Sequence, residues 1–421
     1  MASASLDAEA RKYAALNAQL AGDFASAERL YRETLQLVPH DIDALHMLAL
    51  TQHQQGCMRE ALACYHTLLE QPGELPDVVW YNLGLTIAAA AYTVDSPQAL
   101  TRREAHSDWL STIEQSPAQT ETREASVSVV LPSFNHARYV EQALQSVLAQ
   151  SRPPDEIIVI DDGSTDDSVA RIRALLATSD IPHVLVAREN RGAAQTLNEA
   201  IERATGTWIA PLNTDDLYDL HRLARMLDAC ARDGIDWGFG SVDVVDQVGA
   251  PLSRADASTA LLYAAHDSID MSESLGLAFL RNNPAISTGN LFFRKSLWHA
   301  VGGFAPLRYN HDWQFCLKAS LLVEPVFVRD ARYGYRWHAA NTIRDDHEKP
   351  RKEVAEMMRP FVHLACAPTA SDASNQGNPF APTVAVWGDA FWAMLAAGGD
   401  LGAVPRDTLL ALVDRYSRLS T

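Results

Sequence analysis

The sequence predicts an α/β fold with a mostly parallel sheet over residues 126–366, preceded by an all-α region. Two observations support this prediction. Short apolar, β-branched runs such as VSVVL (127–131) and EIIVI (156–160) alternate with segments of helical spacing, an order typical of βα units. The first hundred residues instead repeat a helical pattern with a fixed period.

The α/β region has a regular order of expected elements. Apolar residues between 140 and 148 fall at i, i+4, i+7 and i+8, the spacing of one helix face. In chain order we expect strands at 127–131, 156–160, 183–186, 208–212 and 237–245, with helices at 140–148, 169–176, 194–204 and 220–231 between them. Sheets of this kind bind ligands at the carboxyl ends of their strands.

The N-terminal region carries an internal repeat. Three pairs of identical residues lie 34 positions apart: Gly22 and Gly56, Ala27 and Ala61, and Tyr31 and Tyr65. With Pro39 at a helix end, this pattern resembles the tetratricopeptide repeat. The resemblance implies two complete helix pairs and a degenerate third between Leu6 and about Leu100. Such an arm usually binds a peptide or another protein, and the alternative is a helical cap with a purely structural role.

Two polar, aperiodic stretches divide the chain. The expected domains are a tetratricopeptide-like domain at 1–104, a linker at 105–125, the α/β domain at 126–366, a second linker at 367–382 and a C-terminal helical extension at 383–421.

The composition excludes several classes of protein. The chain has 35 Lys and Arg against 53 Asp and Glu, a formal charge of −18, whereas nucleic acids and anionic membranes need clustered cations. Five scattered cysteines form no Cys-x-x-Cys pair, which favours reduced thiols. The N-terminus lacks a signal-peptide pattern, and no apolar run approaches ~18 residues. We therefore expect a cytoplasmic protein without a transmembrane segment.

Four polar motifs follow the strands in a fixed order: PSFN (132–135), IDDGSTDDS (160–168), ENRGAAQTLNEAI (189–201) and LNTDD (212–216). Their order and wording resemble the family-2 glycosyltransferases of the GT-A fold, over about Ser126 to His338. The resemblance implies a nucleotide-diphospho-sugar transferase fold with a Rossmann-like sheet. It also implies a nucleotide-sugar donor and a divalent metal, Mg²⁺ or Mn²⁺.

The resemblance places donor-binding residues in all four motifs. They are Pro132, Phe134 and Asn135 around the base and ribose, then Asp161, Asp162, Asn190, Arg191, Asn198, Asn213 and Asp215. We expect Asp161 to accept a hydrogen bond from the base or ribose, since charged acceptors make stronger bonds. Leu197 stands where many members have Arg, so Arg191 is the nearby substitute. The alternatives are structural: Asn135, and Asp166 or Asp167, would only cap the helix that follows each of them.

The LNTDD motif is the expected metal site. A hard divalent ion prefers oxygen ligands, and one or two carboxylates plus diphosphate oxygens suffice. Asp215 is the expected ligand, with Asn213 in place of the family's first acid. In YGYRWH (333–338), the resemblance implies a phosphate contact for Arg336 and metal ligation for His338; a lone histidine is otherwise a packing residue.

A fifth motif lies downstream and supplies the expected general base. VGGF (301–304) and HDW (311–313) resemble the family's Gly-Gly-Phe turn and acidic pair, with His311 in place of the first acid. The resemblance implies that Asp312 is the base that removes the acceptor proton in an inverting transfer. The alternative role for Asp312 is to cap the following helix.

The sequence therefore predicts an inverting, metal-dependent glycosyltransferase. Its acceptor is expected to be a protein, such as flagellin, recruited by the tetratricopeptide-like arm, or else a cell-envelope glycan such as O-antigen. A third hypothesis is an inactive transferase domain that acts as a binding protein, because Leu197, Asn213 and His311 depart from the family pattern. A dinucleotide-binding enzyme is rejected, since no G-x-G-x-x-G follows the first strand.

Overall fold

The computed structural model describes residues 2–93, 125–256, 259–271, 275–338, 341, 348–366 and 400–419. The chain divides into two compact units. The first contains residues 1–106, 362–371 and 384–421, and the second contains residues 107–361 and 372–383. Both expected linkers lie outside the described residues apart from Ala125, and so do residues 383–399 and 420–421 of the expected C-terminal extension.

The helical arm of the first unit consists of α1 (Ala2–Leu20), α2 (Phe24–Leu37), α3 (Ile42–Gln54), α4 (Met58–Glu70) and α5 (Asp77–Thr93). Residues 34 positions apart have the same backbone conformation or the same burial in the structure. Gly22 and Gly56 have φ angles of 79° and 80°, in the left-handed region that glycine adopts without strain. The repeated alanines and tyrosines are buried at the helix contacts. The arm is thus built from paired helices, and its assignment to the tetratricopeptide class remains a resemblance.

The C-terminal helix belongs to the same unit as the arm. We label it α15 (Arg406–Leu419), and it packs on α4. Leu409 and Val413 are fully buried. The Arg406 guanidinium donates to the backbone oxygens of Leu69 in the last turn of α4 and of Gln71 and Gly73 beyond it. These cationic donors satisfy carbonyls that a helix end leaves unpaired.

The second unit is built on one eight-stranded mixed sheet. Its strands are β1 (Val127–Ser133), β2 (Glu156–Asp161), β3 (His183–Ala187), β4 (Trp208–Pro211), β5 (Leu217–Tyr218), β6 (Trp237–Val245), β7 (Leu291–Arg294) and β8 (Val326–Arg336). The helices are α6 (Val140–Leu148), α7 (Ser168–Leu176), α8 (Ala193–Arg203), α9 (Arg222–Asp233), α10 (Ala260–Asp267), α11 (Leu275–Arg281), α12 (Lys295–Val301), α13 (His311–Leu322) and α14 (Glu348–Cys366).

The strand order is β3-β2-β1-β4-β7-β6-β8-β5. Strands β3, β2, β1 and β4 are parallel, β7 runs antiparallel to both of its neighbours, and β5 runs antiparallel to β8. The predicted βα series is therefore confirmed, with short antiparallel insertions in the second half. Because β1, β2 and β4 end at one edge, the motifs that follow them meet there.

The core of this unit follows from the apolar runs. Strands β1 and β2 are buried along almost their whole length, and one face of α6 is buried against the sheet. Strand β3 has a neighbour on one side only and is largely exposed. Across the described residues, no helix is both long and apolar enough to cross a membrane.

Candidate active site

The β1–β2 edge presents Asp161, which is buried. Its Oδ2 accepts hydrogen bonds from Ser133 Oγ at 3.0 Å and Ser164 Oγ at 2.6 Å, and its Oδ1 accepts from Ser164 N–H at 2.8 Å. Gly163 turns the chain here with φ 83°. The carboxylate thus fixes the turn after β2, and its contact with a nucleotide stays a prediction.

The turn after β1 is held against the turn after β2. Asn135 adopts a left-handed φ of 54°, and its Oδ1 accepts from Thr165 N–H at 2.8 Å. It does not cap α6, which begins five residues later. Pro132 lies at the end of β1, and the Phe134 ring beside Asn135 is 44% exposed. The backbone N–H of Asn135 donates to Ser164 Oγ at 2.8 Å, so in this turn it is the Phe134 ring that is exposed.

Asp166 rather than Asp167 supports the start of α7. Its Oδ1 accepts from Ser168 N–H and Oγ at 3.0 and 2.5 Å, and its Oδ2 accepts from Ala137 N–H at 2.9 Å. Burial alone would raise the pKa of Asp166, but these hydrogen bonds outweigh it and lower the pKa. Asp167 is the N-cap of α7 but its side chain makes no cap hydrogen bond, so it is the Asp166 carboxylate before it that accepts from the first N–H of the helix.

Asp162 holds the segment that precedes α8. It accepts from the backbone N–H groups of Arg191 at 2.8 Å and Gly192 at 2.9 Å, and it forms a close ion pair with Arg188. The side chains of Asn190 and Arg191 are exposed beside it. Asp162 therefore orders the loop, and the two exposed side chains are the ones free to face solvent or a donor.

The Asn198 side chain is bonded within the protein. Its Nδ2 donates to Phe304 O at 2.8 Å, and its Oδ1 accepts from Phe304 N–H at 2.9 Å and Trp298 Nε1–H at 3.2 Å. Its neighbour Leu197 is buried in the core. The sequence prediction gave Asn198 a donor contact, whereas its side chain here fastens the Gly-Gly-Phe turn to α8.

Asp215 lies between two histidines. Its Oδ2 is 3.1 Å from His338 Nε2 and 3.7 Å from His136 Nε2. Burial alone would raise the pKa of Asp215, but the charge of His136 and the hydrogen bond and charge of His338 lower it. The two residues expected to bind metal are therefore brought together, and the carboxylate is kept ionised.

The sequence analysis did not single out His136, although it directly follows the PSFN motif. Thr214 Oγ1 donates to Pro132 O at 3.2 Å, so its oxygen is left to accept from His136 Nδ1 at 2.8 Å. This bond orients the ring so that Nε2 faces Asp215. The signal available in the sequence was only its position at the sheet edge.

Asp216 is buried behind Asp215 and positions the turn. It accepts from Tyr333 Oη–H at 2.5 Å, Arg336 N–H at 2.7 Å and Asn213 Nδ2–H at 3.3 Å. Burial, and then the charge of Asp215, raise the pKa of Asp216 well above its usual value, against the opposing effect of these donors. The Asp216 carboxylate is thus hydrogen-bonded within the protein by three different residues.

Arg336 is also bound within the protein. Its guanidinium donates to Asp215 O at 2.5 Å, Gln142 Oε1 at 2.9 Å and Gln247 O at 3.0 Å, and it is fully buried. The family resemblance implied a phosphate contact for this residue. Its side chain instead fixes the backbone of the acidic turn.

Asp312 is linked to the acidic turn by the segment 283–288. Asn283 Nδ2 donates to Asp312 Oδ2 at 3.2 Å, and Asn213 Nδ2 donates to Ser287 Oγ at 2.9 Å. The same segment contains Ile286 with a φ of 68°, a strained conformation for a β-branched residue. One short, strained segment therefore contacts both the expected base and the expected metal motif.

The electrostatics of Asp312 also connect it to this edge. Burial raises the pKa of Asp312, with His311 as the main opposing charge. Burial, and then the charges of Asp216, Asp215 and Asp312, raise the pKa of Tyr335 well above its usual value. The charges of all three carboxylates therefore act on the hydroxyl of Tyr335. Asp312 lies in the first turn of α13, whose N-cap is Asn310, so it is not the cap.

Asp215 and His338 are the candidate ligands for a divalent cation. Within the described part of the chain, no group of three or more His, Cys, Asp or Glu is arranged to hold a metal by itself. Asp215 Oδ2 and His338 Nε2 are 3.1 Å apart, close to the roughly 3 Å between adjacent ligands of an octahedral ion with bonds of about 2.1 Å. The pair therefore fits an ion that takes its other ligands from phosphate and water.

The mixed sheet, with acidic turns at the carboxyl ends of β2 and β4, defines a GT-A-like catalytic domain. Residues 128–314 match the family model "Glycosyl transferase family 2". The second unit therefore contains a glycosyltransferase family 2 domain.

The names of two curated relatives describe them as glycosyltransferases. A "Putative teichuronic acid biosynthesis glycosyltransferase TuaG" of Bacillus subtilis is 35% identical over 128 residues, 30% of this chain and 51% of that protein. The "UDP-Glc:alpha-D-GlcNAc-diphosphoundecaprenol beta-1,3-glucosyltransferase WfgD" of Escherichia coli is 28% identical over 120 residues, 28% of this chain and 47% of that protein. The chain thus spans about half the length of these relatives.

Among solved structures, TarS 1–349 of S. aureus in complex with UDP-GlcNAc aligns with a TM-score of 0.47 and 16% identity. The alignment covers 70% of this chain and 90% of that one. The assignment of the domain rests on the family match and on the sheet itself.

Proposed function

We propose that this protein is an inverting glycosyltransferase that moves a sugar from a nucleoside-diphosphate donor to an acceptor hydroxyl. The observation that carries the proposal is the bridge from Asp312 through Asn283 and Ser287 to Asn213. An inverting transfer needs a carboxylate near the acceptor and a separate site for the leaving diphosphate. The bridge supports both requirements at one sheet edge.

Asp312 is proposed as the general base. Its Oδ1 accepts from Trp313 N–H at 2.7 Å, which together with Asn283 orients the carboxylate. The acceptor proton passes to this carboxylate while the acceptor oxygen bonds to the anomeric carbon and the bond to the diphosphate breaks. Burial raises the pKa of Asp312 and so brings it closer to neutral pH, which favours general-base catalysis.

Asp215 and His338 are proposed to hold the divalent metal, which when bound stabilises the negative charge of the departing diphosphate. His136 adds an oriented imidazole on the other side of Asp215. Asp161, Asn135 and the exposed Asn190 and Arg191 are proposed to line the base and ribose pocket. Asn198 and Arg336, whose side chains are bonded within the protein, are assigned supporting roles.

The proposed acceptor is a cell-envelope glycan or its lipid-linked precursor. The names of TuaG and WfgD support this acceptor class. A protein acceptor is the second candidate, favoured by the helical arm. Tyr13 is 70% exposed and Tyr81 51% exposed, and these residues lie two periods of 34 apart on α1 and α5. Transfer of the sugar to a lipid-linked acceptor would support the glycan acceptor. Transfer of the sugar to a protein captured by the arm would support the protein acceptor.

The test is a panel of UDP-, dTDP- and GDP-sugars with and without Mg²⁺ or Mn²⁺, read by thermal shift and donor turnover. Asp215→Ala should lose the metal-dependent thermal shift. Asp312→Asn should keep that shift but lose about 10²- to 10⁴-fold in transfer rate. Asp180→Asn, an exposed aspartate before β3, is the matched control and should match the wild type.

Two outcomes would contradict the proposal. Full transfer by Asp312→Asn would exclude Asp312 as the base. A wild-type protein that shows no shift and no turnover with any donor and either metal would instead favour a binding protein with an inactive transferase domain.

A further inference from the structure

The chain entering α13 is held by a carboxylate from a distant helix. Glu353, on α14, accepts hydrogen bonds from three consecutive backbone N–H groups: Arg308 at 2.5 Å, Tyr309 at 2.7 Å and Asn310 at 2.8 Å. It also accepts from Asn310 Nδ2 at 3.0 Å. One side chain thus anchors the three residues that lead into the helix carrying Asp312.

This contact is suited to fixing a helix start. The carboxylate lies at the N-terminal end of α13, where the helix dipole favours negative charge. Hydrogen bonds to a charged acceptor are about twice as strong as bonds between neutral groups. Three convergent amides also determine the direction of the chain, because each N–H must point at the same two oxygens.

The start of the same loop is held by Asn198, which binds both backbone groups of Phe304. At the end next to α13, Asn310 Nδ2 also donates to Pro350 O at 3.2 Å. The body of α13 is anchored separately by buried Phe315 and Leu317. Loss of the carboxylate would therefore release the entry to the helix without removing the packing of the helix itself.

We propose that Glu353 is a positioning residue for Asp312: it orders residues 308–310 so that the carboxylate two positions later points at the acceptor. The proposal rests on the proposed role of Asp312 as base. Glu353 acts through the loop and does not take up a proton itself. Because proton transfer needs hydrogen-bond geometry, a displacement of about 1 Å at the base is enough to slow catalysis strongly.

The experiment compares Glu353→Ala and Glu353→Gln with Glu356→Ala, an exposed glutamate on the same helix, in the full chain. The donor sugar is the one found in the panel above. We expect Glu353→Ala to lower kcat about 10- to 100-fold, with donor KM within about 2-fold and the metal-dependent thermal shift unchanged. Amide hydrogen exchange at 308–310 should accelerate. Glu353→Gln, which keeps one acceptor oxygen, should be intermediate, and Glu356→Ala should match the wild type.

Several results would overturn the inference. The first is that Glu353→Ala has the same kcat as Glu356→Ala while Asp312→Asn is inactive. The second is that Glu353→Ala has a reduced kcat but no faster amide hydrogen exchange at 308–310. If Glu353→Ala fails to fold, the same criteria apply to Glu353→Gln. Full activity of Asp312→Asn would instead refute the proposed base, so the two failures are distinguishable.

Discussion

At the scale of single residues, the pKa of Asp312 gives a prediction about pH. A general base must be ionised, and burial raises the pKa of Asp312, the proposed base, above the ordinary value of about 3.9. As pH falls, Asp312 takes up its proton earlier than an exposed aspartate would. The acid limb of the kcat–pH profile should therefore lie above the ordinary aspartate range.

Asn283 provides a check on this assignment. Its hydrogen bond stabilises the charged form of Asp312 and so lowers the pKa against the effect of burial. In Asn283→Ala the acid limb of kcat should move to still higher pH. The titration would belong to a group other than Asp312 if two results coincided: an acid limb of kcat that does not move in Asn283→Ala, and an acid limb in the wild type that lies in the ordinary aspartate range.

The sequence could single out candidate residues for the chemistry but not all of their partners. Asp161, Asp215, Asp312 and His338 follow from motifs at strand and helix ends, and the structure brings the last three to one edge. Glu353 has no motif, and it reaches its amides from 43 to 45 positions away along the chain. Contacts of this kind depend on tertiary packing, which local patterns do not encode.

The same limit applies to polar residues whose bonding capacity is already used. Asn198 and Arg336 have the chemistry for ligand contacts, so the sequence favours that role. In the folded chain, Asn198 bonds Phe304 and Arg336 bonds the backbone of Asp215. Residue type indicates what a side chain is able to bind, and only the fold shows which partner lies within reach.

At the scale of elements, β6 and β8 meet at a register shift between Gly240 and Val242. A Cβ on Gly240 would lie 1.7 Å from Ala331 O and 2.6 Å from Arg222 Nη1. Arg222 is fully buried and donates to that same oxygen. Gly240→Ala should therefore lower the free energy of unfolding by about 1–3 kcal/mol or more, measured by urea denaturation.

Gly334→Ala in β8 is the matched control. The three atoms nearest to a Cβ there would all belong to Leu217, the closest being its Cβ at 3.1 Å. The loss in this variant should be smaller than in Gly240→Ala. Equal losses would mean that glycine flexibility, and not the close approach at Gly240, sets the cost.

Elements with strong periodicity were the predictable ones. The runs VSVVL and EIIVI are long enough to predict buried strands, and β1 and β2 confirm them. Strands β5 and β7 have two and four residues, too short to show any period. Each is stabilised by antiparallel pairing with a strand distant in sequence, so no local signal predicts it.

At the scale of the whole molecule, the two units have separate cores, so one unfolding free energy does not describe the chain. Leu409 on α15 is fully buried in the first unit. Leu409→Ala removes packing there and should cost that unit about 2–5 kcal/mol. The expected result is a lower Tm for one calorimetric transition and an unchanged nucleotide-dependent shift of the other.

Leu20→Ala is the control, because Leu20 belongs to the same unit but is 78% exposed. Its effect should stay within about 0.5 kcal/mol. A nucleotide-dependent shift that is lost in Leu409→Ala but kept in Leu20→Ala would contradict the independence of the donor site. Donor binding would then depend on an intact first unit, since the substitution removes only buried contacts formed within that unit.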